Sequence, residues 1–159
     1  MSAAPAGYHT VTPYLTVPSA AEAIAWYQTA FGAVEKLRLT MPGGGIAHAE
    51  ITIGDSALMM GDENPEWGNR SPKTLGGTPS GFCIYVPDVD AAFDKAVAAG
   101  ATVVMPVADQ FYGDRSGTVL DPFGHKWTLS THQKSMTAAE MQAGMDEWLQ
   151  SMSMSMAAA

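Results

Sequence analysis

An α+β fold built from two copies of one module follows from three features of this 159-residue chain. A long stretch repeats, each copy carries one amphipathic helix signal, and short strand-like runs follow each helix. The first copy opens on Tyr14-Leu-Thr-Val-Pro18 and the second on Cys83-Ile-Tyr-Val-Pro87. The spacing holds throughout: 69 residues from Val17 to Val86, 68 from Gly32 to Gly100 and 70 from Gly54 to Gly124. A repeat of this length is a whole supersecondary unit, which must bury its apolar face against its copy or a second chain.

The first copy begins with a strand over 11–17, where Pro13 points to an edge position. Ser19-Ala-Ala-Glu22 is a capping box that starts a helix. Ile24, Tyr27 and Phe31 recur at helical spacing, and Gly32 supplies the left-handed residue that ends it. Strands are expected over 34–39, 46–53 and 57–60, separated by Pro42-Gly-Gly-Gly45 and Gly54-Asp-Ser56. Residues 61–79 are rich in Gly, Pro, Asn and Asp and read as a connector. The second copy then repeats the order: a strand over 82–86, a helix capped by Asp88 and closed by Gly100, and strands over 102–105, 117–120 and 126–130. Thr137-Ala-Ala-Glu140 caps a C-terminal helix over 137–151. Its stripe of Met141, Met145, Trp148, Leu149 and Met152 is suited to packing on this chain or a dimer mate, and 152–159 are expected to be a disordered tail.

Each copy is therefore a βαβββ module. One crossover helix covers one face of a four-stranded mixed sheet, so the bare faces must meet or form a cup. A hydrophobic content of 47% with 15% charged residues marks a folded chain. The net charge of −8 repels phosphate backbones and anionic membranes, so neither nucleic acid nor membrane is an expected partner. No apolar run approaches the roughly 20 residues of a membrane span, and residues 1–7 hold neither the basic residue nor the apolar core expected of a secretory leader. A cytoplasmic location is the default expectation. The single cysteine, Cys83, lies in an apolar run and reads as a small buried hydrophobe. No Gly-x-Ser-x-Gly elbow is present, so the linear pattern announces no nucleophile.

The chain resembles the vicinal-oxygen-chelate superfamily, which includes glyoxalase I, bleomycin-resistance proteins and extradiol dioxygenases, and within it the PhnB-like, glyoxalase-like branch. The resemblance is carried by Tyr14-Leu-Thr-Val-Pro18, Ala25-Trp-Tyr27, Phe31-Gly-Ala33, Ile46-Ala-His-Ala-Glu50, Gly54-Asp-Ser56, Ala108-Asp-Gln-Phe-Tyr-Gly-Asp-Arg115 and Asp121-Pro-Phe-Gly-His-Lys-Trp127. It implies one domain over 8–135, with module one at 8–61, the connector at 61–79 and module two at 80–132. It also implies a homodimer, with the cup shared between modules of one chain or of two. Catalytic members hold a divalent metal on four positions supplied by His, Glu or Gln. By motif these positions fall here at Thr12, Met60 (Leu58 if the register slips by two), Gly81 and Thr128. A thioether, two threonine hydroxyls and a glycine are poor ligands for such metals, so no cofactor is expected.

In that architecture His48 and Glu50 alternate onto the cup side. They are candidates for an acid–base pair, for two ligands of a non-standard divalent metal, or for a polar pair closing the cup floor. Tyr14 and Tyr85 share cup-facing parity and are candidate ligand contacts. So are Gln110, Tyr112, Asp114 and Arg115, with Phe111 as stacking surface. Arg115 is suited to clamping an anion while Asp114 holds the guanidinium, or the two simply staple the loop. His125 is expected to be exposed after its turn, and His9, His132 and Trp67 are weaker candidates. Two functions fit: a protein that binds a small organic molecule in the cup without the usual metal, or a glyoxalase-like lyase or isomerase using His48 and Glu50.

Overall fold

The computed structural model describes residues 4–157, with side chains to residue 154. The first module runs β1 (Tyr14–Val17), α1 (Ala20–Phe31), β2 (Val34–Thr40), β3 (Ile46–Ile53) and β4 (Ser56–Asp62). A 3₁₀ turn (Pro65–Trp67) and a one-turn helix α2 (Pro72–Leu75) follow. The second module runs β5 (Gly81–Tyr85), α3 (Val89–Ala98), β6 (Thr102–Asp109), β7 (Asp114–Leu120) and β8 (Lys126–His132), and α4 (Ala138–Ala157) closes the chain. The two sheets have the same order, β1-β4-β3-β2 and β5-β8-β7-β6, with one parallel pair each. They remain open, four strands apiece.

The caps fall where the side chains predict them. Ser19 accepts from the Glu22 amide at 3.4 Å, Asp88 accepts from Ala91 at 3.0 Å, and Gly32 ends α1 at φ 67°. Under α1, Leu15, Val17, Ala49, Ile51, Leu58 and Met60 form one apolar sheet face. Under α3, Val119, Trp127 and Leu129 do the same. The modules meet through an aromatic cluster in which Trp26, Tyr27 and Phe31 of α1 pack on Phe123 and Trp127. Asp121 is the polar centre of this contact. It accepts from Tyr27 Oη at 2.6 Å, Trp127 Nε1 at 2.9 Å and the amides of Phe123 and His125. Four donors on one buried carboxylate supply the hydrogen bonding that a charge taken out of water requires.

Several expectations are corrected. His125 is 7% exposed, not a surface residue, because its ring turns inward and Nε2 lies 3.1 Å from the Thr16 carbonyl of the other module. Cys83 is exposed, because strand alternation puts its thiol on the face away from α3, 3.7 Å from Ser130 Oγ. Strand β7 starts at Asp114, three residues before its expected beginning, so Asp114 and Arg115 lie on a strand and point to opposite faces. Helix α4 runs on through the expected tail to Ala157, while residues 158–159 lie outside the described ones. Of its apolar stripe, Trp148 lies tilted against Phe111 with ring centres 6.1 Å apart, and Met141, Met145, Leu149 and Met152 stay exposed.

Candidate functional site

Strand register decides which side chains reach the open sheet faces. In the first module Tyr14 pairs with Met59, Met59 with Glu50, and Glu50 with Leu37. With His48 and Leu39, these residues share the face away from α1. Tyr14 is 50% exposed there. Gly61 lies beside it, and the missing side chain matters: a Cβ would stand 2.7 Å from the Ala47 carbonyl oxygen and 3.1 Å from the Tyr14 hydroxyl. The gap lets Tyr14 lie across β4 and reach His48.

His48 Nε2 is 3.0 Å from Glu50 Oε1, and Nδ1 is 3.3 Å from the Tyr14 hydroxyl. A carboxylate only accepts, so Nε2 carries a hydrogen, and in the neutral ring Nδ1 presents its lone pair toward the Tyr14 hydroxyl, which also lies 3.4 Å from the Ala47 carbonyl oxygen. Tyr8 donates its hydroxyl to the second oxygen of Glu50. That bond, followed by the one from His48, holds the Glu50 carboxyl below its ordinary range, and the same contact raises the Tyr8 phenol. The result is a continuous Tyr8–Glu50–His48–Tyr14 chain. It can accept a proton at Nδ1, or present a hydroxyl and an imidazole to an oxygenated molecule.

The open face of the second sheet carries a different set. Tyr85 is 65% exposed and donates to Asp114 Oδ2 at 3.1 Å, which raises its phenol. Asp114, only 5% exposed, also faces His132 Nδ1 at 2.7 Å through Oδ1. Tyr112 and Ser116 share a hydrogen bond of 3.1 Å, and Thr118 and Thr128 one of 3.0 Å. His132 thus joins Tyr85 and Asp114. The linear pattern, which ends the last strand at 130, gave no sign of this: His132 is the final residue of β8, and the three residues come from three separate strands.

Other candidates are placed differently from expectation. Arg115 is not held by Asp114. It points to the α3 side, where Asp90 grips it bidentately at 2.8 and 2.7 Å and Asp109 adds a contact at 3.1 Å. These two carboxylates raise the Arg115 guanidinium and already balance its charge, so it is no free anion clamp. The Gln110 side-chain amide donates to the Ala108 and Ser116 carbonyls, which braces the β6–β7 turn.

Met60 is also reassigned. It is fully buried on the α1 side, as is Leu58, and the residue opposite Tyr14 that matches Thr128 opposite Cys83 is Met59. The one-residue change follows from the period of two along a strand. The Thr12 hydroxyl donates to the His9 carbonyl, Gly81 contributes only hydrogen at its Cα, and Thr128 is engaged with Thr118. A thioether, two hydroxyls and a glycine do not fit the four-donor sphere of a divalent metal. Among the described residues no three His, Cys, Asp or Glu side chains converge to replace it.

Between the modules, the segment before β1 and the β3–β4 turn face β5 across a cleft of about 750 Å³. Its walls include Val11, Pro13, Ile53 and Phe82, with Cys83 and Tyr85 at the rim of the second sheet. That volume and its mainly apolar lining match what a drug-sized molecule occupies.

Comparison with known proteins places this geometry in context. An uncharacterized protein of Mycobacterium bovis is 44% identical over 138 residues, covering 85% of this chain and 91% of that one. The crystal structure of TioX from Micromonospora sp. ML1 superposes with a TM-score of 0.61 at 29% identity, covering 78% of this chain and 98% of TioX. A PhnB protein from Bacillus cereus shares the fold at 18% identity and a TM-score of 0.61, covering 77% of this chain and 99% of its own. The profile of the Glyoxalase/Bleomycin resistance protein/Dioxygenase superfamily matches residues 8–129, and the chain, with its two βαβββ modules, belongs to that superfamily.

Proposed function

We propose that this protein binds a small, oxygenated organic molecule against its open sheet faces without a four-donor metal centre, and does so as a homodimer. One observation carries the reading. The faces left bare by the helices are not plain polar surfaces: each combines an exposed tyrosine with a carboxylate–imidazole pair, Tyr14 with Glu50–His48 and Tyr85 with Asp114–His132. Such groups orient hydroxyl and carbonyl oxygens, while Leu37, Leu39 and Met59 beside the first pair offer apolar contact. Both faces stand open in the single chain, and a second copy is the economical way to cover them. Isothermal titration against planar aromatic and polyoxygenated antibiotics is expected to give heat with at least one compound. His48→Ala and Tyr85→Phe should each weaken it, and sedimentation should show a dimer. Uniform absence of heat overturns the reading.

A second reading, a glyoxalase-like lyase or isomerase, draws on the His48 tautomer. Glu50 fixes the hydrogen on Nε2 and leaves Nδ1 as a base on an exposed face. Turnover that disappears in His48→Ala, with or without stoichiometric bound metal, favours this second reading.

A further inference from the structure

The Asp114–His132 pair of the second sheet extends to a group that neither function above uses, the hydroxyl of Ser135. Asp114 Oδ1 lies 2.7 Å from His132 Nδ1, and His132 Nε2 lies 3.1 Å from Ser135 Oγ. The carboxylate only accepts, so Nδ1 carries the hydrogen. When the ring is neutral, Nε2 offers its lone pair and the Ser135 hydroxyl donates to it. This is the arrangement in which an imidazole takes a proton from a serine. Tyr85 donates to the other Asp114 oxygen at 3.1 Å, so both oxygens of the nearly buried carboxylate are held.

Ser135 is placed by anchors on either side. Before it, the amides of Gln133 and Lys134 both donate to the Gly113 carbonyl, at 3.0 and 2.9 Å. Gly113 has φ 94°, and a Cβ there would stand 2.1 Å from the Lys134 carbonyl oxygen, so only glycine admits the linker at this distance. After it, Thr137 caps α4: its hydroxyl accepts from the Glu140 amide at 3.3 Å, and the Glu140 carboxylate accepts from the Thr137 amide at 2.7 Å. Ser135 itself is exposed, as is His132.

We propose that Ser135, His132 and Asp114 form a nucleophile, base and positioning carboxylate that accept acyl groups from small activated esters. Ser135 Oγ bonds to the ester carbonyl carbon as its proton passes to His132 Nε2. The bond from that carbon to the leaving oxygen breaks, and His132 returns the proton to the departing alcohol. Water then attacks the acyl-serine by the same route, giving the carboxylic acid and the free hydroxyl. Atoms balance with water as the co-reactant, and no electrons are exchanged. The exposed position at the rim of the sheet suits small acyl donors arriving from solvent. The proposal shares Asp114 and His132 with the ligand-binding reading, and Ser135 is the residue that tells the two apart.

The test treats the full chain with a fluorophosphonate, which forms an Oγ–P bond with loss of fluoride, and follows p-nitrophenyl acetate hydrolysis alongside. One adduct mapped to Ser135 by peptide mass is expected. It should vanish in Ser135→Ala and form about 100-fold more slowly in His132→Gln, the usual weight of a general base. Asp114→Asn permits the wrong tautomer and should slow labelling, whereas Asp114→Glu should restore part of it; a purely structural role would not follow that order. Unchanged thermal melts of Ser135→Ala, an exposed site, verify folding. No adduct on the wild-type chain, an adduct elsewhere, or equal ester hydrolysis by Ser135→Ala overturns the proposal.

Discussion

Replacing Tyr27 by Phe removes one hydroxyl from the contact that joins the modules. Tyr27 is fully buried on α1, and its hydroxyl donates at 2.6 Å to Asp121, which belongs to the second module. The ring and its packing against Trp26, Phe31 and Trp127 are retained, so the perturbation is close to the hydrogen bond alone. A bond to a charged acceptor is worth about 1.5–3 kcal/mol, and Asp121 keeps three other donors, which puts the expected loss near 2 kcal/mol. For a chain of this size that loss lowers the melting temperature by about 4–8 °C. Urea unfolding followed by far-ultraviolet circular dichroism measures it. There is also an alkaline signature. Burial first, then the Asp121 charge, raises the Tyr27 phenol well above its usual value of 10.0. The neutral phenol is therefore favoured in the folded state. Its stabilisation is fully present below pH 10 and is lost as pH climbs toward the raised value. Tyr27→Phe should be less stable at neutral pH yet flatter in the alkaline range. A loss under about 0.5 kcal/mol, below the range for such bonds, or an unchanged alkaline slope refutes the reasoning.

Acid should release the N-terminal segment. The Glu50 carboxyl is held below its ordinary 4.5, so anchoring of Tyr8 is complete above that value and lost as pH falls through the lowered one; amide exchange around Tyr8 should quicken there, and at neutral pH in Glu50→Gln. Gly117→Ala puts a Cβ 2.7 Å from the Phe93 ring and 2.8 Å from Val107, and overpacking of that kind should cost about 1–3 kcal/mol in urea unfolding. Gly113→Ala meets backbone at a positive φ, so it should destabilise by about 1–3 kcal/mol and also slow fluorophosphonate labelling by displacing the linker. Asp88→Ala removes the cap of α3 and should cost about 1 kcal/mol with no effect on ligand heat.

The modules, their helices and the turns between strands were legible in the sequence because they rest on short-range chemistry. Ser19 and Asp88 cap within three residues, Gly32 closes a helix locally, and Ala49 and Ile51 alternate with His48 and Glu50 along one strand. The His48–Glu50 pair could be named early because two residues apart on a strand share a face. Where a register had to be chosen across strands, the linear pattern failed by one position, and Met60 stood in for Met59. The Asp114–Arg115 pairing failed similarly: the residues adjoin in sequence, and an extended chain sends neighbours to opposite sides.

What the sequence alone determined was the doubled βαβββ plan and the excess of acidic over basic residues, both properties of residue type and spacing. Only the tertiary structure decided that His125 turns inward to the other module, that Arg115 is taken by Asp90 and Asp109, and that Tyr85, Asp114, His132 and Ser135 converge. The physical reason is that a side-chain hydrogen bond acts over about 3 Å between groups whose chain separation is arbitrary. Register, sheet pairing and the docking of one module on the other set that proximity, and none of these is a local property of the chain.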